Sequence, residues 1–259
     1  MAKRMNSHIR AMFVRPEPST AMSYIPLIAG AGLTLGAIER QGREAADAAK
    51  AAFDAWRSRH EIPDLARVGR LDSLFASWTE RVGEIDQIVT KFGRLSDLIV
   101  MSGFQPGNAM AERCFDAAVF GSGRPTLLVP QRPISDLLDH VMIAWNGSLE
   151  ASHAIFGAMP LLCAASRVSI FSAPEGEGDE DGGTDLAEAL SWYGIPVHLA
   201  GRSEVPCSTG AALLAVARIS DVSLVVMGAY THSRLRQSFL GGTTREVLAE
   251  ATIPILMSH

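Results

Sequence analysis

The sequence has little of what marks a secreted, membrane-spanning or nucleic-acid-binding protein. Among 259 residues there are three cysteines, Cys114, Cys163 and Cys207, too far apart for a metal-ligand spacing or a disulfide framework. The longest apolar run, residues 25–38, is glycine-rich and too short to cross a bilayer. A net charge of −5 argues against general binding to nucleic acid or to an anionic membrane. We therefore expect a cytoplasmic protein with no signal peptide and no transmembrane helix.

Motifs of catalysis are equally scarce. The chain has no Gly-Lys-Ser/Thr phosphate loop, no His-Glu-x-x-His zinc motif and no paired carboxylates that their spacing places at strand ends. Ser122 lies between two glycines, but a nucleophile elbow needs a different spacing and a preceding strand. We predict no catalytic and no metal-binding residues, and we expect a protein that is not an enzyme.

An internal repeat organises what is present. Residues 94–101, Arg-Leu-Ser-Asp-Leu-Ile-Val-Met, recur as Arg-Ile-Ser-Asp-Val at 218–222, which closes on Val-Val-Met at 225–227. Each copy then leads to an apolar strand that begins with proline, at 125 and at 254. The offset of about 125 residues is too long for a solenoid unit and fits a duplicated domain. We predict two domains, residues 1–134 and 135–259, with a linker at 130–139.

The second copy alternates strands and helices. Helices are predicted at 185–192 and 209–219, among others, and five apolar segments are predicted to be strands: 140–145, 167–171, 196–199, 224–228 and 254–257. This alternation favours a parallel sheet with right-handed crossovers, whose ligand crevice lies at the carboxyl ends of the strands. The predicted fold class is α/β, with two tandem open parallel-sheet sandwich domains.

The first copy is shorter. Residues 8–14 are its first predicted strand, and residues 1–7 are predicted to be the tail of a preceding helix. A long amphipathic helix follows, with one apolar face: Ala45, Ala49, Ala52, Phe53 and Trp56. The counterpart of residues 140–159 is missing. We expect either that the true start of the chain lies upstream of Met1, which we favour, or that this domain has lost a strand from the middle of its sheet.

A glycine-rich stretch after the strand at 224–228 is the most specific feature. Gly228 ends the strand, a polar basic loop follows, and Gly241 and Gly242 open a helix. Glycine lets the backbone approach a ligand closely, and the free N–H groups of a helix N-terminus attract an anion. The pattern predicts a phosphate site. The same glycines are also compatible with a plain strand-end turn and helix start, and that alternative stays open.

The spacing resembles the nucleotide-binding signature of the universal stress protein family: glycine, two residues, glycine, nine residues, glycine, then serine or threonine. Gly228 and Gly241 fall on the first and third glycines, Thr231 stands in the second place, and Gly242 stands where the hydroxyl residue would be. Residues 146–148, Asn-Gly-Ser, follow the first strand of the second copy in family order. The two copies cover nearly the whole chain, which therefore resembles a tandem two-domain member with an incomplete first domain.

This resemblance implies a Rossmann-like sandwich of five parallel strands, of the adenine nucleotide alpha hydrolase type, that binds ATP with or without Mg²⁺. It places Gly228 under the ribose and phosphates. Gly241 and Gly242 would present backbone N–H groups to the phosphates, and Thr243 or Thr244 would supply the hydroxyl.

Two further parts of the site follow from the resemblance. Asn146 takes the place of an aspartate that lies near the nucleoside, and it keeps the hydrogen-bonding shape without the charge. In the loop around Thr231, Arg234 and Arg236 would contact phosphate as guanidinium forks, although both are equally compatible with solvated loop charges.

We therefore predict a stress-response, nucleotide-binding regulatory protein that acts by binding and association. Its expected partners are an adenine nucleotide, the sister domain through the last strand of each copy, and a second chain in a homodimer. Two alternatives stay open: a scaffold or dimerisation module that has lost nucleotide binding, and a slow ATPase.

Overall fold

The structure, a computed structural model, describes residues 1–24, 34–63, 73–132, 134, 136–172, 183–200, 208–229 and 242–259. They form two compact units, residues 1–89 with 108–114 and residues 90–107 with 115–259. The boundary at 134 that the repeat predicts stays a prediction. Within the described ranges, no helix combines the length and apolar character needed to cross a bilayer.

The first unit holds a parallel pair of strands. β1 (His8–Arg15) pairs with β2 (Phe75–Val82) along its whole length. The described residues between them include two helices, α1 (Pro18–Tyr24) and α2 (Leu35–Arg59). The Thr34 hydroxyl accepts a hydrogen bond from the Ala37 N–H at 3.2 Å and so begins α2 with a side-chain cap.

The predicted apolar face of α2 is partly wrong. Ala46 is buried, whereas Ala45 and Ala52 are exposed. The Phe53 ring centroid lies 5.7 Å from that of Trp78 on β2, and this aromatic contact sets the rotation of the helix. Ala46 lies two turns before Phe53 on the same side, so it faces the strands in place of Ala45.

Two other features of this unit differ from the prediction. Residues 2–6 form a turn, closed by the Arg4 N–H and the Met1 carbonyl oxygen at 2.9 Å, where a helix tail was predicted. β2 was not predicted at all. Only Phe75 and Ala76 of this strand are buried, and the polar residues that follow leave no apolar run to mark it.

The second unit is built on a seven-stranded sheet. All neighbouring strands are parallel except β4 and β9, which are antiparallel. The spatial order is β3 (Ile99–Ser102), β4 (Thr126–Val129), β9 (Ile255–Ser258), β8 (Leu224–Gly228), β5 (His140–Trp145), β6 (Arg167–Ser172) and β7 (Val197–Leu199). The prediction of an α/β fold with five strands in the second copy is confirmed.

The helices of the second half follow the predicted alternation, and they are α5 (Leu149–Cys163), α6 (Thr184–Ser191), α7 (Thr209–Ile219) and α8 (Gly242–Glu250). Earlier in the chain lie α3 (Ile85–Gly93) and α4 (Ala109–Asp116), the latter followed by a π-helical turn at Ala117–Gly121. The centre of the sheet is fully buried, with no exposed surface on Met142, Ile143, Val225 and Leu256. Uninterrupted apolar strands of this kind are typical of parallel sheets covered on both faces.

The repeat also explains how the strands of the first half are distributed. The described residues before 135 contain four strands, with β1 and β2 in one sheet and β3 and β4 in the other. β3 is an edge strand next to β4, whereas its counterpart β8 lies between β9 and β5. Among the described residues, the first half therefore has no equivalent of β5, as the repeat predicts. β4 pairs antiparallel with β9, the two strands through which the copies were predicted to associate.

Candidate functional site

Two predicted site residues lie at the carboxyl ends of neighbouring strands. Asn146 directly follows β5, and Gly228 is the last residue of β8. The two strands pair parallel with Ala144 opposite Met227, so Trp145 lies beside Gly228 and Asn146 is one position further on. Both residues therefore belong to one edge of the sheet, the edge at which open α/β folds bind ligands.

Asn146 has a local structural role. Its Oδ1 accepts a hydrogen bond from the Ser148 N–H at 3.2 Å, across Gly147, which has a φ of +73°. The Ser148 hydroxyl then accepts from the Ala151 N–H at 3.1 Å and caps α5. The Asn-Gly-Ser sequence thus turns the chain from β5 into α5. The Asn146 side chain is exposed, and its amide NH₂ group carries two donors that this turn does not use.

Gly228 is explained by packing alone. A Cβ atom at this position would lie 2.6 Å from the Ala151 backbone nitrogen and 2.8 Å from the Glu150 carbonyl carbon. The first turn of α5 therefore rests directly on the end of β8, where only glycine leaves enough room. A ligand is not required to account for this glycine.

The start of α8 has the opposite character. Gly242 is exposed, and a Cβ atom there would meet nothing within 4 Å. Thr243 is partly exposed, whereas Thr244 is only 5% exposed, so Thr243 is the threonine that solvent reaches. The first N–H groups of a helix have no partner within the helix, which makes them donors for an anion. The remaining predicted residues lie outside the described ranges: Thr231, Arg234, Arg236 and Gly241.

An open depression of about 580 Å³ lies beside the start of α8. The described residues that line it are Ser208, Thr209, Gly242, Thr243, Arg245, Glu246 and Ala249. Asn146 and Gly228 are not among them. The structure therefore brings the predicted residues together as two groups, one at the ends of β5 and β8 and one on the first turn of α8.

Sequence reasoning missed Glu246. Its carboxylate accepts a hydrogen bond from the hydroxyl of Ser208, which itself accepts from the Ala211 N–H at 3.3 Å and caps α7. A Cβ atom at Gly210 would lie 2.5 Å from Glu246 Oε2, so this glycine makes room for the carboxylate. A negative charge at a helix N-terminus is favourable. The Glu246 carboxylate thus lies at the N-terminus of α7, where an anion is favourable. The sequence signal, a serine before an apolar run, predicts the helix cap but not this carboxylate.

A buried histidine lies at the other end of β5. His140 Nδ1 is 2.9 Å from the Ser220 carbonyl oxygen, and Nε2 is 2.8 Å from the Ser169 hydroxyl. A carbonyl oxygen can only accept, so Nδ1 carries the proton and Ser169 donates to Nε2. Burial lowers the pKa of His140 below its ordinary value, and the hydrogen bond to Ser220 partly opposes this shift. This network joins β5, β6 and the end of α7, away from Asn146.

Comparison with known proteins bears on the C-terminal part of the chain. Residues 180–259 match the model of the Universal stress protein family. This range includes Gly228 and the first turn of α8, and the match confirms the resemblance to this family there. A search of the curated proteins finds no match.

Solved structures share the fold over almost the whole chain. A universal stress protein from Archaeoglobus fulgidus DSM 4304 is 16% identical, with a TM-score of 0.65, over 96% of this chain and 85% of that one. A putative universal stress protein from Pseudomonas aeruginosa UCBPP-PA14 is 16% identical, with a TM-score of 0.51, over 98% of this chain and 94% of that one. At this level of identity the similarity establishes the Rossmann-like α/β fold.

Proposed function

We propose that this chain is a cytoplasmic stress-response regulator that binds ATP and acts through binding and association rather than catalysis. The family match of residues 180–259 supports the general class. One observation carries the proposal of a nucleotide site: Asn146 and Gly228 end adjacent parallel strands at the same sheet edge. Nucleotides bind at this edge in open α/β folds because strand ends and helix N-termini converge there.

The start of α8 fits a phosphate group. The space around Gly242 is open, so a phosphate oxygen can approach the backbone N–H groups of the first turn without meeting a side chain. The Thr243 hydroxyl is next to them, and Arg245 lines the same depression with a positive charge. Mg²⁺ would arrive with the nucleotide, because protein-bound Mg²⁺ is commonly held in part by substrate phosphates.

Calorimetric titration of the purified chain with Mg-ATP tests this proposal. Gly242→Val should weaken binding about tenfold to a hundredfold, the equivalent of one lost hydrogen bond to a charged acceptor at about 1.5–3 kcal/mol. The substitution leaves the fold intact, since its Cβ atom meets nothing within 4 Å. Gly36→Val in α2 is the matched control, because Gly36 is equally open and exposed. No binding by the unmodified chain at millimolar ATP, or equal loss in both variants, contradicts the proposal.

A scaffold without nucleotide is the second candidate, and two observations favour it. Asn146 Oδ1 already accepts the Ser148 N–H, and the space over Gly228 is filled by the backbone of α5. Both residues therefore have structural reasons to be present. Identification of any nucleotide released when the purified protein is denatured separates the candidates, since a scaffold would release none.

The third candidate, an ATPase, makes a kinetic prediction that differs from both. We expect negligible hydrolysis. Among the described residues that line the depression, Glu246 is the one carboxylate that could act as a base, and it already accepts a hydrogen bond from Ser208. A turnover above about 1 s⁻¹, within the range of ordinary enzymes, would overturn the non-catalytic assignment.

A further inference from the structure

The turn between β5 and α5 contains an asparagine that is followed by glycine. The sequence has three asparagines, Asn6, Asn108 and Asn146, and only Asn146 precedes a glycine. All three are exposed. Glycine has no Cβ atom, so the side chain of the residue before it can approach its backbone nitrogen without steric interference. Asn146 is therefore the asparagine best placed to react with its own main chain.

A hydrogen bond holds the Asn146 side chain beside that nitrogen. Its Oδ1 accepts from the Ser148 N–H at 3.2 Å, and the ring that this bond closes contains the backbone nitrogen of Gly147. Gly147 has a φ of +73°, and a Cβ atom there would meet nothing within 4 Å. The turn thus brings the side-chain carbon Cγ of Asn146 toward the Gly147 nitrogen and leaves open space around both.

The same turn activates Cγ toward attack. When a nucleophile adds to this carbon, negative charge develops on Oδ1. The Ser148 N–H already donates to Oδ1, so it stabilises that charge in the manner of an oxyanion hole. Ser148 also caps α5, and the positive end of the helix dipole favours negative charge nearby. Among the described residues, none forms a hydrogen bond with the Asn146 NH₂ group, which is the group that has to leave.

We propose that Asn146 is a site of spontaneous deamidation, which the turn between β5 and α5 promotes and for which water is the co-reactant. The Gly147 nitrogen gives up its proton to solvent and forms a bond to Asn146 Cγ. The bond from Cγ to Nδ2 breaks, and Nδ2 takes up a proton and leaves as ammonia. Water then opens the resulting succinimide ring at one of its two carbonyl carbons. No group is oxidised or reduced.

The two products of ring opening have different effects on the fold. Opening at Cγ gives aspartate at position 146, whose carboxylate can still accept the Ser148 N–H and lies near the start of α5, where negative charge is favourable. Opening at the backbone carbon gives isoaspartate, in which the main chain runs through Cβ and Cγ and is one carbon longer. The first turn of α5 rests on β8, with the Ala151 nitrogen 2.6 Å from the Cβ position of Gly228. Isoaspartate therefore disturbs a tight contact, whereas aspartate preserves it.

Peptide mapping by mass spectrometry tests the proposal. The purified full chain is aged in isotopically labelled water at mildly alkaline pH, and the peptide with Asn146 should lose ammonia and gain labelled oxygen. Asn108 is the internal control, because it is exposed and its Oδ1 accepts the Ala111 N–H at 3.1 Å, but alanine follows it. Asn146 should convert at least about tenfold faster than Asn108, the effect of a barrier lower by about 1.4 kcal/mol. Equal rates at the two positions overturn the proposal.

A comparison with the unfolded chain tests the role of the turn. The same protein aged in urea gives the rate of this sequence without the Ser148 hydrogen bond. The folded chain should convert Asn146 at least as fast as the unfolded chain does. A slower rate in the folded chain would show that the turn protects Asn146, and it overturns the proposal.

The identity of the product tests the succinimide route. Isoaspartate, detected by enzymatic methylation, should form at position 146 alongside aspartate, whereas direct hydrolysis of the side chain by water would give aspartate alone. Gly147→Ala should slow the conversion about tenfold or more, because its Cβ atom hinders ring closure. Circular dichroism checks that this variant folds, as the open space at Gly147 allows. Aspartate without isoaspartate, or an unchanged rate in folded Gly147→Ala, overturns the proposal.

Discussion

The backbone nitrogen of Ala151 lies 2.6 Å from the position that a Cβ atom on Gly228 would occupy. This contact ties the first turn of α5 to the end of β8, at the sheet edge that carries the candidate site. Because the neighbour is backbone rather than a flexible side chain, a larger residue can be accommodated only if α5 moves. The turn through Asn146 and Ser148 that begins α5 would move with it.

We therefore predict that Gly228→Ala destabilises the protein by about 1–3 kcal/mol, the range for overpacking in a close-packed interior. Urea unfolding followed by circular dichroism measures this. Gly242→Ala is the control, since its Cβ atom meets nothing within 4 Å and the change should stay within about 0.5 kcal/mol. Equal stability of the two variants would show that α5 does not rest on β8 as described.

The bounds of individual strands and helices, and the consequences of the internal repeat, could be predicted from the sequence. The bounds of β5 and α7 agree with the prediction because an uninterrupted apolar strand and a helix begun by a serine cap are local signals. The repeat likewise indicated that the first half has no equivalent of β5, and the described residues before 135 contain none. The rotation of α2 could not be predicted, because it depends on the contact between Phe53 and Trp78 on a strand that had no apolar run.

In the candidate site, too, local features could be predicted and contacts between distant elements could not. A glycine at the end of a strand predicts that other atoms approach the backbone closely there. The sequence does not distinguish a ligand from the backbone of α5, which is what the structure places against Gly228. Glu246 was missed because its partner Ser208 is 38 residues away, and no local pattern joins an α8 carboxylate to the start of α7. Both gaps concern contacts between elements that are distant in sequence.

The network around His140 predicts a loss of stability in mild acid. Burial lowers the pKa of His140 in the folded protein, so the unfolded chain binds a proton at a higher pH than the folded one. Stability is therefore greatest above the unfolded pKa of about 6.5 and falls as the pH drops from there through the folded pKa. Urea unfolding at several pH values between about 8 and 5 measures the slope.

Matched histidine variants assign that slope. His140→Asn should lower stability at pH 8, since Asn does not reproduce both ring hydrogen bonds, and should remove part of the slope. His153→Asn is the control, because it replaces an exposed histidine on α5 and leaves both hydrogen bonds of the His140 ring in place. Arg167, Asp139 and Asp221, the charged residues around His140, are unchanged in both variants. An unaltered slope in His140→Asn would assign the pH dependence to other groups.

Ser208 and Glu246 should be energetically coupled. Ser208→Ala removes a helix cap and should cost about 1 kcal/mol. Glu246→Ala removes the acceptor of the Ser208 hydroxyl, so a double-mutant cycle should give a coupling of about 0.5 kcal/mol or more. Additive effects within about 0.3 kcal/mol would show that the hydrogen bond contributes nothing measurable.

The same carboxylate should also weaken ATP binding. Glu246 lines the depression beside Gly242 and Thr243, where a phosphate would bring further negative charge. Glu246→Gln keeps the shape and removes the charge, so we expect Mg-ATP to bind a few-fold more tightly at low ionic strength, with the difference shrinking as salt screens it. Glu188→Gln on α6 is the control, because Glu188 is not among the residues that line the depression. Weaker binding by Glu246→Gln would instead make Glu246 part of the ligand contact.

The antiparallel pairing of β4 with β9 predicts that β3 and β4 unfold together with the strands of the second half. Leu127 lies opposite Leu256, and both residues are buried in the seven-stranded sheet. Leu127→Ala should therefore cost about 2–5 kcal/mol, as other core truncations of leucine do. It should raise the hydrogen exchange of amides in β8 and β9 as well as those in β4, because all three belong to one sheet.

Leu95→Ala is the matched control, since Leu95 is 72% exposed and its truncation should change neither stability nor exchange. If Leu127→Ala accelerates exchange in β3 and β4 alone, these two strands form a separate cooperative unit and the β4–β9 contact is not what holds them in the sheet.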